Sequence, residues 1–232
     1  MRRQMNLLVA SAARIARRAF HRLYPWAGLN GLDRKLIEYL PNGPGFFIEA
    51  GANDGIRQSN TLVLERKFGW TGLLVEPIPR LAAQCRRNRR RSVVKNVALV
   101  GRAESGQTIR IDDVDLMTSM AESSGDREEF LSRAELVQGI SRKSTEVQCR
   151  TLSEILDEIG SPKIDLFSLD VEGFELQVLA GLDLSRHCPK ILLIETKLED
   201  EVKSFLEGRM KMIAKLTHHD YVFEAIDSHH LE

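Results

Sequence analysis

The sequence predicts an α/β fold with a mostly parallel, twisted sheet flanked by helices. Short apolar segments alternate along the chain with amphipathic helical segments, which is the pattern of parallel strands joined by right-handed crossovers. Two of the apolar segments run directly into turns that are rich in glycine or acidic residues. The length of 232 residues and the hydrophobic fraction of 43% suit one domain with a continuous core.

The first half of the domain follows a breaker cluster of proline and glycine at residues 41–45. Strands are expected at 46–50, 72–75 and 92–99, with helices at 60–68 and 80–88 between them. This strand-helix-strand-helix-strand order predicts that the three strands lie parallel in one sheet.

A long insertion near residues 101–150 interrupts the alternation. Short strands are expected at 107–111 and 145–150, and the polar segment between them contains a helical patch at 127–137. Long insertions in compact domains are usually functional. Regularity then returns: helices are expected at 152–159, 172–180 and 200–216, and strands at 164–169, 190–195 and 221–226. Gly181 stands where a glycine is expected to end a helix.

Residues 1–40 precede this domain, which we place at 41–232, and form a basic amphipathic segment. Met5, Leu8, Ala12 and Ile15 recur at helical spacing, and the arginines at positions 14, 18 and 22 share another face. Two interpretations stay open. The helix packs on the domain, or it lies on a membrane surface, where a basic face beside an apolar stripe suits anionic headgroups.

The charge balance and the cysteines of the chain indicate which partners and which cellular setting to expect. Lys and Arg together number 33, as do Asp and Glu, so the chain has no overall attraction to nucleic acid, and no nucleic-acid partner is expected. The arginine-rich run at 86–91 is interpreted as a solvated helix end, because no aromatic residues alternate with it to stack on bases. Three widely spaced cysteines without a C-x-x-C pair indicate a reducing, cytoplasmic setting.

The segment FIEAGANDG, residues 47–55, is the strongest local signal. A buried strand leads into a turn where Gly51 allows close backbone approach, and Asn53 tolerates a left-handed conformation. The spacing of a dinucleotide loop is not met, because Ile56 stands where its last glycine would be, which argues against NAD. Glu76, at the end of the next strand, stands where an acid that binds ribose hydroxyls is expected. For the loop alone, a simple strand-to-helix turn is the open alternative.

A second cluster follows the strand at 164–169. Asp170 is delivered to the carboxyl edge of the sheet, where open α/β sheets bind ligands. Glu172 is expected to begin the next helix, where the helix dipole alone would explain an acid. Glu195 ends the following strand and is expected to face the same pocket.

With these segments together, the sequence resembles the FkbM family of methyltransferases. The matching stretches are FIEAGANDG with the following SNT, then LLVEP, KNVAL, IDLFSLDVEGFELQVLAGL and ILLIE. The resemblance covers residues 46–195 and excludes the basic N-terminal segment. The chain stops soon after residues 221–224, which leaves open whether the last antiparallel strand of related folds is present.

The resemblance implies a Rossmann-like class I methyltransferase fold, S-adenosylmethionine as cofactor, and O-methylation of a hydroxyl on a sugar, glycan or natural product. It implies catalytic roles for Asp170 and Glu172, with Asp170 as the base. Divalent Mg²⁺ held by carboxylates is an open alternative. So is a non-catalytic binding protein of the same fold at a membrane surface, which the basic N-terminus favours. The cofactor-binding residues that it implies are Glu49, Gly51, Asn53, Gly55, Glu76, Asn96, Val97 and Ala98.

Overall fold

The structure, a computed structural model, describes residues 26–112 and 144–226. The strands of these ranges are β1 (Phe46–Ala50), β2 (Thr71–Val75), β3 (Val93–Lys95), β4 (Ala98–Leu99), β5 (Thr108–Asp112), β6 (Ser144–Arg150), β7 (Leu166–Leu169), β8 (Ile191–Glu195), β9 (Met210–Lys215) and β10 (Asp220–Ala225). The α-helices are α1 (Leu32–Leu36), α2 (Leu62–Lys67), α3 (Pro79–Asn88), α4 (Leu152–Glu158), α5 (Glu175–Ala180), α6 (Leu184–His187) and α7 (Glu199–Leu206). Short 3₁₀ helices lie at Leu29–Gly31, Ile37–Tyr39 and Arg102–Glu104.

Seven strands form the central sheet, in the order β3-β2-β1-β7-β8-β10-β9. β10 runs antiparallel to both of its neighbours, and the pairs among β3, β2, β1, β7 and β8 are parallel. The predicted fold class is therefore confirmed. The order reverses between β1 and β7, since chain order continues from β1 towards β2 and β3 on one side and from β7 towards β8 on the other. A ligand crevice is expected at such a reversal.

The core lies on both faces of this sheet, because successive strand side chains point to opposite sides. On one face, Ile48 and Phe167 pack with residues of α4 and α5. On the other face, Phe47 packs with Leu36 of α1 and Val63 of α2. All of these side chains are buried, so the central strands are apolar on both sides, as expected of parallel strands covered by two helix layers.

Beside the central sheet, β4, β5 and β6 form a small second sheet. β6 pairs parallel with β4 and antiparallel with β5. The two strands predicted around the insertion are confirmed, but the single strand predicted at 92–99 is wrong. It divides into β3, which pairs with β2, and β4, which pairs with β6. The predicted helical patch at 127–137 lies outside the described residues.

The helix predicted at 200–216 is also wrong in its second half. α7 ends at Leu206, and residues 210–215 form β9, which pairs with β10. The last antiparallel strand is present: β10 lies between β8 and β9 and completes the sheet. Met, Lys and Ala are good helix formers, so their local preference indicated a helix, and the pairing partner decided otherwise.

Residues 26–40 pack onto the domain. Asp33 is buried, and its carboxylate accepts hydrogen bonds from the backbone of Ala27 (2.6 Å) and Gly28 (3.0 Å). Gly28 also forms an isolated bridge with Gln58, and Leu36 is buried in the core. The predicted amphipathic pattern of residues 5–23 lies outside the described residues. No helix in the ranges 26–112 and 144–226 is both long and apolar enough to cross a membrane.

Candidate active site

A cavity of about 530 Å³ lies at the carboxyl edge of the central sheet, where β1, β2 and β7 end. Its volume falls within the roughly 300–1,000 Å³ that is typical of small-molecule sites. Of the ten predicted site residues, the structure brings all but Gly55 and Asn96 to its wall: Glu49, Gly51, Asn53, Glu76, Val97, Ala98, Asp170 and Glu172. Their individual roles stay predictions.

The glycine turn after β1 has the backbone conformation that its sequence predicted. Gly51, Asn53 and Gly55 have φ angles of 81°, 49° and 75°, all in the left-handed region. At Gly51 a second constraint applies, because a Cβ there would overlap the backbone oxygen of Asp170. The turn after β1 therefore touches the end of β7, and only glycine allows this approach.

Glu76 is buried and directs its carboxylate toward the glycine turn. One oxygen accepts the backbone N–H of Asn53 (2.8 Å) and the other accepts that of Ile78 (2.9 Å). These two bonds hold the Glu76 carboxylate against the glycine turn, at the wall of the cavity. Asn96 lies outside the cavity wall. Its amide donates to the carbonyls of Glu76 (2.9 Å) and Pro77 (2.7 Å), so it holds the turn that carries Glu76.

Glu49 lines the cavity, but its carboxylate is hydrogen-bonded to neighbouring protein groups. Its carboxylate accepts hydrogen bonds from the Ser59 hydroxyl (2.9 Å), the Asn60 backbone N–H (2.8 Å) and the Thr61 hydroxyl (2.7 Å). These three residues follow the glycine turn and lead into α2. Glu49 therefore fixes the return of the chain from the turn, which is an indirect way to shape the cavity.

Arg89 is the residue of this site that sequence reasoning missed. Its side chain is fully buried, with 0% exposure, and it pairs with Glu65 (3.0 Å) and Glu49 (3.4 Å). It also donates to the Gly55 carbonyl (3.2 Å), the Ser59 hydroxyl (3.0 Å) and the Thr61 hydroxyl (2.8 Å). The interpretation of residues 86–91 as a solvated helix end is therefore wrong at Arg89. One guanidinium holds both ends of the segment from Gly55 to Thr61.

A sequence signal for Arg89 exists. Leu81, Cys85 and Arg89 are spaced by four residues, which places them on one face of a helix, and all three are buried. Gly55 provides the room, because a Cβ there would lie 2.7 Å from the Arg89 side chain and 2.9 Å from the Cys85 sulfur. Gly55 is thus required for packing beneath the turn and does not line the cavity.

Asp170 stands at the end of β7, beside the glycine turn. Its backbone N–H donates to Ala50 (3.2 Å), and its side chain lines the cavity. Burial raises the pKa of its carboxyl well above the usual range, and the charges of Glu195, Glu172, Glu175 and Asp220 raise it further. An acid with a raised pKa in a cleft is a candidate proton acceptor.

Glu172 lines the same cavity but does not begin a helix. Its φ angle is 55°, and α5 starts only at Glu175, so the helix-dipole explanation for Glu172 is wrong. Glu172 is exposed, yet the surrounding protein partly desolvates its carboxyl and so raises its pKa, and the charges of Glu195 and Glu175 act in the same direction. Glu195 is not part of the cavity wall, yet its charge reaches Asp170 and Glu172.

Two further groups at the wall bear on ligand binding. Asn60 lines the cavity, and among the described residues no donor reaches its buried Oδ1 atom. The strand β5 adds Ile109, Arg110 and Ile111, so the start of the insertion forms one side of the cavity.

In residues 26–112 and 144–226, no three His, Cys, Asp or Glu side chains are grouped so that they could hold a metal ion.

Comparison with known proteins places this geometry in a family. The model of the methyltransferase FkbM domain matches residues 49–223, which is most of the chain. No curated protein matches the sequence.

Among solved structures, a TehB-like SAM-dependent methyltransferase from Corynebacterium glutamicum is similar, with 12% identity, coverage of 94% of this chain and 99% of that chain, and a TM-score of 0.40. A precorrin-6y C5,15-methyltransferase from Geobacter metallireducens has 12% identity, coverage of 86% and 88%, and a TM-score of 0.40. Likeness at this level carries no information about the acceptor.

Proposed function

This chain belongs to the FkbM methyltransferase family, and from that premise we propose that it methylates a hydroxyl group on a sugar, glycan or natural product. The observation that carries the proposal is the position of Asp170. It lies beside the glycine turn, in the wall of the cavity, with a raised pKa. A hydroxyl acceptor must lose a proton as it is methylated, and a carboxylate with a raised pKa is suited to take it.

The cavity wall fits S-adenosylmethionine. Its volume suits a ligand of this size, Glu76 presents a carboxylate that can accept from ribose hydroxyls, and Asn60 Oδ1 is a buried acceptor that an ammonium group would satisfy. Val97 and Ala98 offer apolar surface for an adenine ring. The cofactor supplies a methyl group that is already activated by its sulfonium centre.

The protein itself would align the methyl donor with the acceptor, exclude water and remove the proton of the acceptor hydroxyl. Glu76 and the glycine turn would hold the methyl donor in the cavity. Asp170, beside that turn, would orient the acceptor hydroxyl toward the methyl group. Partial burial of Asp170 raises its pKa, and a bound donor and acceptor would displace water from the cavity around it. The acceptor hydroxyl would transfer its proton to the Asp170 carboxylate.

A non-catalytic binding protein of the same fold is the alternative. One feature in its favour was the uncertainty about the last antiparallel strand, and β10 removes that support. The remaining support is the basic N-terminal segment.

Two measurements test the proposed function. Isothermal titration should detect binding of S-adenosylmethionine, and radiolabelled methyl groups should be transferred to hydroxyl-bearing glycan or small-molecule fractions. Asp170→Asn should lower turnover by about 10²–10⁴-fold while cofactor affinity changes little. The matched control is Asp200→Asn, because Asp200 is an exposed residue of α7 that does not line the cavity. Absence of cofactor binding by the folded wild type contradicts the function. An Asp170→Asn enzyme as fast as wild type removes Asp170 from the base role.

A further inference from the structure

Five exposed basic side chains lie at the edge of the sheet opposite the cavity and form a basic surface there. This basic surface comprises Lys67, Arg86, Arg87, Arg90 and Arg91, and all five are exposed. They lie where α2 and α3 end, close to the residues that precede β2 and begin β3, which is the amino-terminal edge of the parallel strands.

The two helix ends that carry these charges are joined directly. The Arg91 guanidinium donates to the Gly69 carbonyl (3.2 Å), and the Ser92 hydroxyl donates to the Glu65 carboxylate (2.5 Å). Buried Arg89 also pairs with Glu65 from the α3 side. Lys67 therefore belongs to the same surface as the arginines, although it lies 19 to 24 positions from them in sequence.

The positive charge of this surface is not neutralised. No acidic residue occurs between Glu76 and Glu104 in the sequence. Among the described residues, none of the five basic side chains has an ion-pair partner within 4.0 Å, and the nearby Glu65 is buried and engaged by Arg89 and Ser92. The helix dipole accounts for basic residues in the last turn of α3, at 86 and 87, but not for those beyond it. In a chain with zero formal charge, this is a strong local excess.

Apolar side chains are exposed next to these charges. Phe68 follows Lys67 and is 44% exposed, and Val93 lies two residues after Arg91 and is also 44% exposed. Basic side chains beside exposed apolar ones match the chemistry of an anionic membrane surface, where phosphates attract the charges and the apolar groups enter the headgroup layer. A single-stranded nucleic acid would instead require a row of aromatic faces.

We propose that the basic surface docks this protein on an anionic lipid bilayer. The cavity opens at the carboxyl edge of the sheet and the basic surface lies at the amino-terminal edge, so docking leaves the cavity facing away from the lipid. The acceptor would then arrive from the aqueous side and not from within the bilayer.

The test is co-sedimentation of the full chain with vesicles of phosphatidylcholine alone, or of phosphatidylcholine and phosphatidylglycerol in equal amounts. Wild type should bind only the anionic vesicles, and binding should decrease as salt screens the charges. Arg86→Gln with Arg90→Gln should weaken binding about 30-fold, since each basic residue near such a surface contributes about a factor of five. Arg209→Gln with Lys211→Gln is the matched control, because it removes the same charge at the opposite end of the sheet, at and just before β9. It should bind like wild type.

Three results would overturn the proposal. The first is that wild type ignores anionic vesicles at low salt. The second is that the Arg86 and Arg90 double variant binds them as tightly as wild type, which would assign the contact to another part of the chain. The third is that labelled single-stranded RNA binds through these arginines while vesicles do not. Equal melting temperatures of both double variants and wild type exclude a folding defect as the cause.

Discussion

Arg89 shows how one buried side chain can organise the glycine turn from beneath. Its guanidinium supplies hydrogen bonds to Gly55, Ser59 and Thr61 and ion pairs to Glu49 and Glu65. Replacing buried ion pairs by apolar groups is often harmless, but removing one partner is strongly destabilising. Here three of the partners lie in the segment from Gly55 to Thr61, whose Ser59 lines the cavity, so the loss would disturb the cavity wall.

Arg89→Lys tests this role. Lysine keeps the charge but has a single nitrogen, so it cannot serve all these acceptors. We expect the free energy of unfolding to fall by roughly 2–4 kcal/mol, because buried acceptors lose their donors. We also expect the cofactor dissociation constant of the folded protein to rise about tenfold, which corresponds to about 1.4 kcal/mol. Chemical denaturation and titration measure the two effects. Arg90→Lys, at the exposed neighbour, should change neither. Unchanged affinity in Arg89→Lys would make Arg89 a purely structural residue.

The raised pKa of Asp170 sets a pH dependence. A base must be deprotonated to act, so activity should appear as pH rises through the raised pKa of Asp170. Glu195 contributes to that pKa, second only to burial, because its negative charge disfavours ionisation of Asp170. Glu195→Gln removes this charge, and the acid limb of the profile of kcat against pH should move to lower pH. Because these carboxyls interact, the limb belongs to the group and not to Asp170 alone.

The control for this profile is Glu201→Gln on α7, an exposed acid that does not raise the pKa of Asp170. It should leave the acid limb in place. A limb that stays fixed in Glu195→Gln as well would show that the observed ionisation is not that of Asp170.

Between elements, the contact that matters most is the turn after β1 against the end of β7. Gly51→Ala would combine a φ angle of 81° with overlap between the new methyl group and Asp170. Gly160→Ala is a matched control, since Gly160 has a φ of 89° but no atom within 4 Å of a Cβ. The control should lose only backbone strain, roughly 1–2 kcal/mol. Gly51→Ala should lose more stability and also its cofactor binding, as measured by thermal melting and titration. Equal losses in both variants would mean that the contact with β7 is unimportant.

Local sequence patterns predicted the strands that end at the cavity but did not predict every strand and helix. The sequence predicts the type and direction of four strands, because each is a short apolar run that ends at or just before an acidic residue or glycine: β1, β2, β7 and β8. β9 does not, because its identity depends on a partner strand that follows it. Gly181 ends α5 as predicted, but its φ of −87° does not require glycine. A Cβ there would overlap the backbone oxygen of Val100, a contact that is distant in sequence.

For the whole molecule, most of the predicted site residues come together at one cavity, but the residues that support its wall were not predicted. The crevice at the reversal of strand order follows from topology alone, and eight predicted residues reach its wall. The supporting residues were harder to foresee. Arg89 resembled its exposed neighbours in sequence, and only the helical phase that it shares with Leu81 and Cys85 distinguishes it. Burial of a charge depends on partners from distant segments, which no local window contains.

The position of β10 also has a consequence for how the chain folds during synthesis. β10 is formed by residues 220–225, yet it fills the gap between β8 and β9 inside the sheet. Until those residues have left the ribosome, β8 presents an unpaired edge of backbone N–H and C=O groups, and β9 has no neighbour to join. Such an edge invites pairing with another nascent chain. Since only residues 216–219 separate β9 from β10, the two strands can pair first as a hairpin, and docking of β10 on β8 then covers the exposed edge.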